Sequence, residues 1–125
     1  MPAVPARKLH LVAASLVLAG VLAGCGHTRQ AGANRIVQMA VTEYRLNPQS
    51  VQAQNGVLSI VVHNYGRLTH NLVVSQGGQN IAGTKPIPPG QTSELDLDLA
   101  PGTYQMSSTI LSDQDLGAYG TLKVS

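Results

Sequence analysis

The strictest pattern in the chain lies at residues 94–99, where Glu94, Asp96 and Asp98 alternate with Leu95, Leu97 and Leu99. A period of two fits an extended strand with one face in a core and the other in water; a helix would scatter the same residues around its axis. The period recurs along the chain. Val37, Met39 and Val41 alternate with Gln38, Ala40 and Thr42. Val51 and Ala53 alternate with Gln52 and Gln54, and Leu58, Ile60 and Val62 with Ser59, Val61 and His63. Leu72 and Val74 continue from His70, Tyr104 and Met106 share a face with Ser108, and Leu122 and Val124 close the chain. Between these runs stand turn formers: Asn47-Pro48, Asn55-Gly56, Asn64-Tyr65-Gly66, Gly77-Gly78, Pro88-Pro89-Gly90 and Pro101-Gly102. The pattern predicts seven short strands, no helix and no internal repeat, in one all-β sandwich over residues 36–125. The chain has no Phe and no Trp. Its core must therefore be built from Leu, Ile, Val and a few Tyr.

The first 24 residues read differently. Arg7 and Lys8 precede an apolar run from Leu9 to Leu22, broken only by His10 and Ser15. The run is short for a membrane span, which needs roughly 20 apolar residues, and it ends in small residues; that order describes a secretory signal. The only cysteine, Cys25, follows directly. Leu22-Ala23-Gly24-Cys25 resembles the lipobox of bacterial lipoproteins, in which the thiol takes a diacylglyceryl group. The other reading is an ordinary signal peptide with a chance cysteine. Two acyl chains, at about 0.8 kcal/mol per buried CH₂, hold a protein on a membrane where one does not. Residues 1–24 are thus expected to be a signal peptide, and 25–35 a lipidated flexible tether that includes His27 as a solvated residue. A lipidated Cys25 leaves no thiol for a disulfide or a metal. Without Arg7 and Lys8 the basic residues balance the six acidic ones, so no nucleic-acid surface is expected.

Several segments over residues 39–124 together resemble a cupredoxin, the Greek-key sandwich of blue copper proteins. Asn64, Gly66, His70 and Asn71 are similar to the loop that carries the family's first copper-binding histidine. IPPGQTSELDLDLAPGTYQM, at 87–106, resembles its proline-glycine turn, outer strand and PGTY hairpin, and GTLKV at 120–124 its closing strand. The resemblance implies a cysteine, a second histidine and a methionine after PGTY. Counting from Tyr104, those positions fall at Ser108, at or near Asp113, and at or near Ala118; Gly117 and Gly120 fit the expected glycines. The loop SSTILSDQDLGAY contains no Cys, His or Met. A blue copper centre needs two imidazoles and a thiolate in a trigonal arrangement, with a weak axial thioether. A serine hydroxyl does not supply that sulfur.

Three readings of His70 follow. In the first, the domain is a binding or interaction module, with His70 a polar cap hydrogen-bonded to Ser108 or to backbone. In the second, His70 and Asp113, with Asp115, His63 or Met106, hold copper or zinc weakly for envelope metal handling. His63 is expected to point away from His70, because it alternates with inward Val62. In the third, Ser108, His70 and Asp113 form a hydrolytic triad, although no G-x-S-x-G turn is present. The reading adopted is the first: a monomeric, non-enzymatic protein with no cofactor, held on the extracytoplasmic face of the cell membrane through Cys25. A protein of the envelope is its expected partner. Two structural expectations complete it. Tyr104 is a corner tyrosine, and residues 79–92 are a long proline-bearing connection.

Overall fold

A computed structural model describes residues 28–125. The signal segment, the lipobox and Cys25 lie outside the described residues. All seven expected strands are present. They are β2 (Ile36–Thr42), β4 (Ser50–Ala53), β5 (Gly56–Asn64), β6 (Val73–Gln76), β8 (Thr92–Leu99), β9 (Gly102–Ser107) and β10 (Tyr119–Val124). Three short strands join them: β1 (Thr28–Gln30), β3 (Arg45–Asn47) and β7 (Gln79–Gly83). One turn of helix, α1 (Asp113–Leu116), interrupts the loop between β9 and β10.

The strands form two sheets. The first has the order β1-β4-β10-β9-β6-β7, the second β3-β2-β5-β8. Both mix parallel and antiparallel pairs: β4 runs parallel to β1 and β10, and β2 parallel to β5. The chain changes sheet between β3 and β4, across Pro48-Gln49. Alternating residues of the two inner faces interlock, as sandwich packing requires. Leu95 and Leu97 of β8 lie beside Ile60 and Leu58 of β5, and with Leu99, Val37, Val51, Val74, Met106 and Leu122 they make one apolar core. Glu94, Asp96 and Asp98 are exposed on the opposite face of β8. That strand is a sheet edge, and its charges oppose pairing with another chain. Tyr104 is buried, and its hydroxyl donates to the Ala100 carbonyl at 2.7 Å. This is the corner that the residue predicts.

Three expectations are corrected. Thr28–Gln30, placed in the tether, pairs in parallel with Ser50–Gln52. Residues 79–83, placed in a long connection, form a hairpin with β6. Its turn is Gly77-Gly78, with both φ angles positive, a conformation that two-residue hairpins favour and glycine adopts freely. α1 breaks the expectation of no helix; one turn is too short to leave a period in sequence.

Candidate functional site

Three loops meet at one end of the sandwich. Val41 of β2 lies opposite Asn64 of β5, so the turn after β2 and the loop after β5 emerge side by side. Ser107 of β9 lies opposite both Val73 of β6 and Tyr119 of β10, which brings the loop 108–118 to the same place. His70 sits at this meeting point and is completely buried. Its backbone is fixed by paired hydrogen bonds with Ile87, at 3.2 and 2.7 Å.

Both edges of the imidazole face carboxylates. Nδ1 lies 2.7 Å from Asp113 Oδ2, and Nε2 lies 3.0 Å from Glu43 Oε1. Asp113 is itself buried, and its Oδ2 also accepts the Ser108 hydroxyl at 2.7 Å. α1 delivers this aspartate: Asp113 N–H donates to the Ile110 carbonyl, and the Asp113 carbonyl accepts from Ala118 N–H. On the other side, Glu43 Oε1 accepts the backbone N–H groups of Arg67 and Leu68 at 2.8 and 2.7 Å. The Leu68 amide above all, with His70 and the Arg67 amide beside it, holds the Glu43 carboxyl down at about 2 against an ordinary 4.5. Stabilisation of a carboxylate by donated N–H groups gives that direction.

Asn64 completes the frame. It is buried, its Nδ2 donates to the carbonyls of Leu68 and Ile87 at 2.8 Å each, and its Oδ1 accepts from Gly66 N–H at 2.8 Å. Asn71 ties the third loop, with Oδ1 accepting from Thr109 N–H and Nδ2 donating to Thr109 Oγ1. Among the described residues no buried side-chain polar atom lacks a hydrogen-bond partner. The cluster is closed, as a buried polar network must be to avoid a desolvation penalty.

His70, Asp113 and Ser108 come together, but Ser108 bonds to Asp113 and not to His70. The expected cap on His70 is therefore supplied by carboxylates instead of by the serine. A hydrolytic triad needs its base on the nucleophile. Here the aspartate stands between serine and histidine, and all three are buried. His63 lies on the outer face of the second sheet, as its alternation implied. Its Nε2 meets Gln38 Oε1 at 2.6 Å, Nδ1 meets Thr92 Oγ1 at 3.0 Å, and the ring stacks on Tyr65. A cleft of about 630 Å³ opens there, lined by Arg29, Gln38, His63 and Tyr65 and not by His70. Met106 and Ala118 are buried and apolar, and Asp115 is exposed. Glu43 was not legible as a site residue. It stands in a turn far from His70 in sequence, and nothing local marks it.

Copper, the metal the cupredoxin resemblance implies, does not fit this donor set. Ser108 and Ala118, at or near which the resemblance implies the thiolate and the axial thioether, carry no sulfur, and Asp113 Oδ2 stands in hydrogen-bond contact with His70 Nδ1. Glu43 and Asp113 lie across opposite edges of one ring, so they do not converge on a shared ion. Among the described residues no group of three or more His, Cys, Asp or Glu side chains is arranged to hold a metal.

No curated protein matches the chain in sequence. Solved structures do match in fold. Auracyanin from Roseiflexus castenholzii superposes with a TM-score of 0.69 at 21% identity, over 75% of this chain and 99% of that one. Auracyanin A, a "blue" copper protein from Chloroflexus aurantiacus, gives 0.61 at 17% identity, over 72% and 99%. Rusticyanin from Thiobacillus ferrooxidans gives 0.65 at 13% identity, over 78% and 82%. A family model for the cupredoxin-like domain matches residues 15–118, most of the chain. The family match covers most of the chain and the structural likeness agrees with it: the chain belongs to the cupredoxin-like domain family.

Proposed function

We propose that this is a lipid-anchored, extracytoplasmic cupredoxin-like binding protein whose copper site has been replaced by an internal polar lock. One observation carries the reading. Both ring nitrogens of His70 face carboxylates from different loops, where a copper ligand needs one nitrogen free. The lock fixes three loops relative to one another without a metal, and a rigid loop platform on a sandwich suits binding. Electron transfer through a type 1 centre has no thiolate to run through. Catalysis is not proposed either, because Ser108 has no base against it.

A second reading keeps weak copper or zinc binding. Its support is the meeting of His70 Nδ1, Asp113 Oδ2 and Ser108 Oγ, which rotation of one side chain would turn into a small donor set. Titration of the full chain with Cu(II), followed by absorption and electron paramagnetic resonance, separates the two. The lock predicts no intense thiolate-to-copper band and no imidazole-coupled cupric signal. A cupric signal with imidazole coupling that disappears in His70→Ala would replace the first reading by the second. An intense blue band would overturn both.

A further inference from the structure

Among the described residues nine large apolar side chains are exposed, and they are not spread evenly. Six stand on the loops and strand ends around His70: Tyr44, Tyr65, Leu68, Leu111, Leu116 and Tyr119. Leu111 is 94% exposed and Tyr65 70%. Leucines and tyrosines gathered at one end of a domain mark a contact surface. The charges are arranged to match. Arg45, the first residue of β3, and Arg67, on the loop after β5, are exposed at this end, while Glu43 and Asp113 turn inward to His70. Of the carboxylates at this end Asp115 is exposed, Glu43 is partly buried and Asp113 is buried. The acidic face, Glu94 to Asp98, runs along β8 toward the opposite end, where Asp98 pairs with Val57.

The path of the chain says what covers this end. β1 runs parallel to β4 and β10, and β10 starts beside the His70 cluster, directly after Ala118. The first residue of β1 therefore points back toward that cluster. Thr28 is pinned opposite Ser50. Three residue steps separate it from Cys25, a reach of at most about 11 Å. A lipid on that sulfur holds the domain close to the bilayer instead of on a long leash.

We propose that the His70 end of the sandwich rests on the membrane surface, with its exposed leucines and tyrosines in the interfacial layer and Arg45 and Arg67 among the headgroup phosphates. Aromatic residues favour that layer, and cations beside it gain from anionic lipid. The inference rests on lipidation of Cys25. It has a functional consequence: the end that binds metal in other family members is turned away from solution, and the acidic β8 edge is left for a soluble partner.

The chain has no Trp, so one substitution installs a single fluorescent reporter. Full-length lipidated protein carrying Leu111→Trp, Leu116→Trp or Val57→Trp is reconstituted into vesicles of phosphatidylethanolamine and phosphatidylglycerol with nitroxide-labelled acyl chains. All three side chains are exposed, so the fold tolerates the changes. The reporters at 111 and 116 are expected to be quenched several-fold more than the one at 57, with blue-shifted emission. Equal quenching at all three positions, with mass spectrometry finding lipid on Cys25, overturns the docking while the anchor stands. Absence of lipid on Cys25 overturns the anchor, and the docking with it.

Discussion

The body of the sandwich and its His70 end solve the same packing problem with opposite chemistry. In the body, Leu58, Ile60, Leu95 and Leu97 meet across β5 and β8 with no polar atom to satisfy. At the end, three loops carry polar backbone into a buried place, and His70, Asp113, Ser108, Glu43 and Asn64 exist to satisfy it and one another. The body depends on volume and the end on pairing. Removing a methyl group from the body leaves a cavity; removing a partner from the end leaves a buried donor or acceptor alone.

The largest effect is therefore expected in the body. Leu97 is 5% exposed and lies opposite Leu58. Leu97→Ala should destabilise the domain by about 2–5 kcal/mol, read from the midpoint of chemical denaturation. A domain this small has only a few kcal/mol to spare, so a partly unfolded population in buffer is an expected form of the result. A loss under about 1 kcal/mol would mean that the body is loosely packed and that the contrast with the end is overdrawn.

At the end the corresponding change is Asp113→Ala. It leaves the Ser108 hydroxyl and His70 Nδ1 without their 2.7 Å partner. The expected cost is about 1–3 kcal/mol. Ser108 can fall back on Asn71 Oδ1 at 3.2 Å, which keeps the cost below that of the core cavity. Hydrogen exchange should show the loss concentrated at 108–118 and 64–71, with β5 and β8 protected. Uniform loss across both sheets would show that the end is not a separate lock.

The same contrast explains what the sequence discloses. A core of alternating apolar residues is written locally, and each strand of the body can be read from its own six or eight residues. β1, β3 and β7 could not be read that way. β1 is exposed throughout, β7 nearly so, and β3 offers only Leu46. They are held by hydrogen bonds to neighbours, which leave no hydrophobic signature; Gly77-Gly78 was the one cue for β7. The end was half legible. His70, Ser108 and Asp113 stand at positions a resemblance could supply, so their meeting was open to inference. Glu43 and the framing role of Asn64 arise from the β2–β5 pairing and from backbone N–H groups of another loop, which no local pattern encodes.

Glu43 offers the finest probe of the comparison, because its effect depends on charge and not on volume. Its carboxyl is held at about 2 in the folded protein against an ordinary 4.5. A lowered folded value means that the stabilisation is complete above 4.5 and is lost as pH falls toward 2. Glu43→Gln keeps an oxygen for the Arg67 and Leu68 amides but removes the charge. The gap in stability between wild type and variant should thus be constant above pH 4.5 and shrink steadily as the pH is lowered toward 2. The side chain is 25% exposed, so water screens part of the interaction and the gap should be smaller than that for Asp113→Ala. Leu97→Ala measured beside it carries no titrating group and should give an offset with no break in that range. A gap for Glu43→Gln that stays flat from pH 6 to pH 3 would place the lock in geometry alone, and would remove charge from what distinguishes the end of this sandwich from its body.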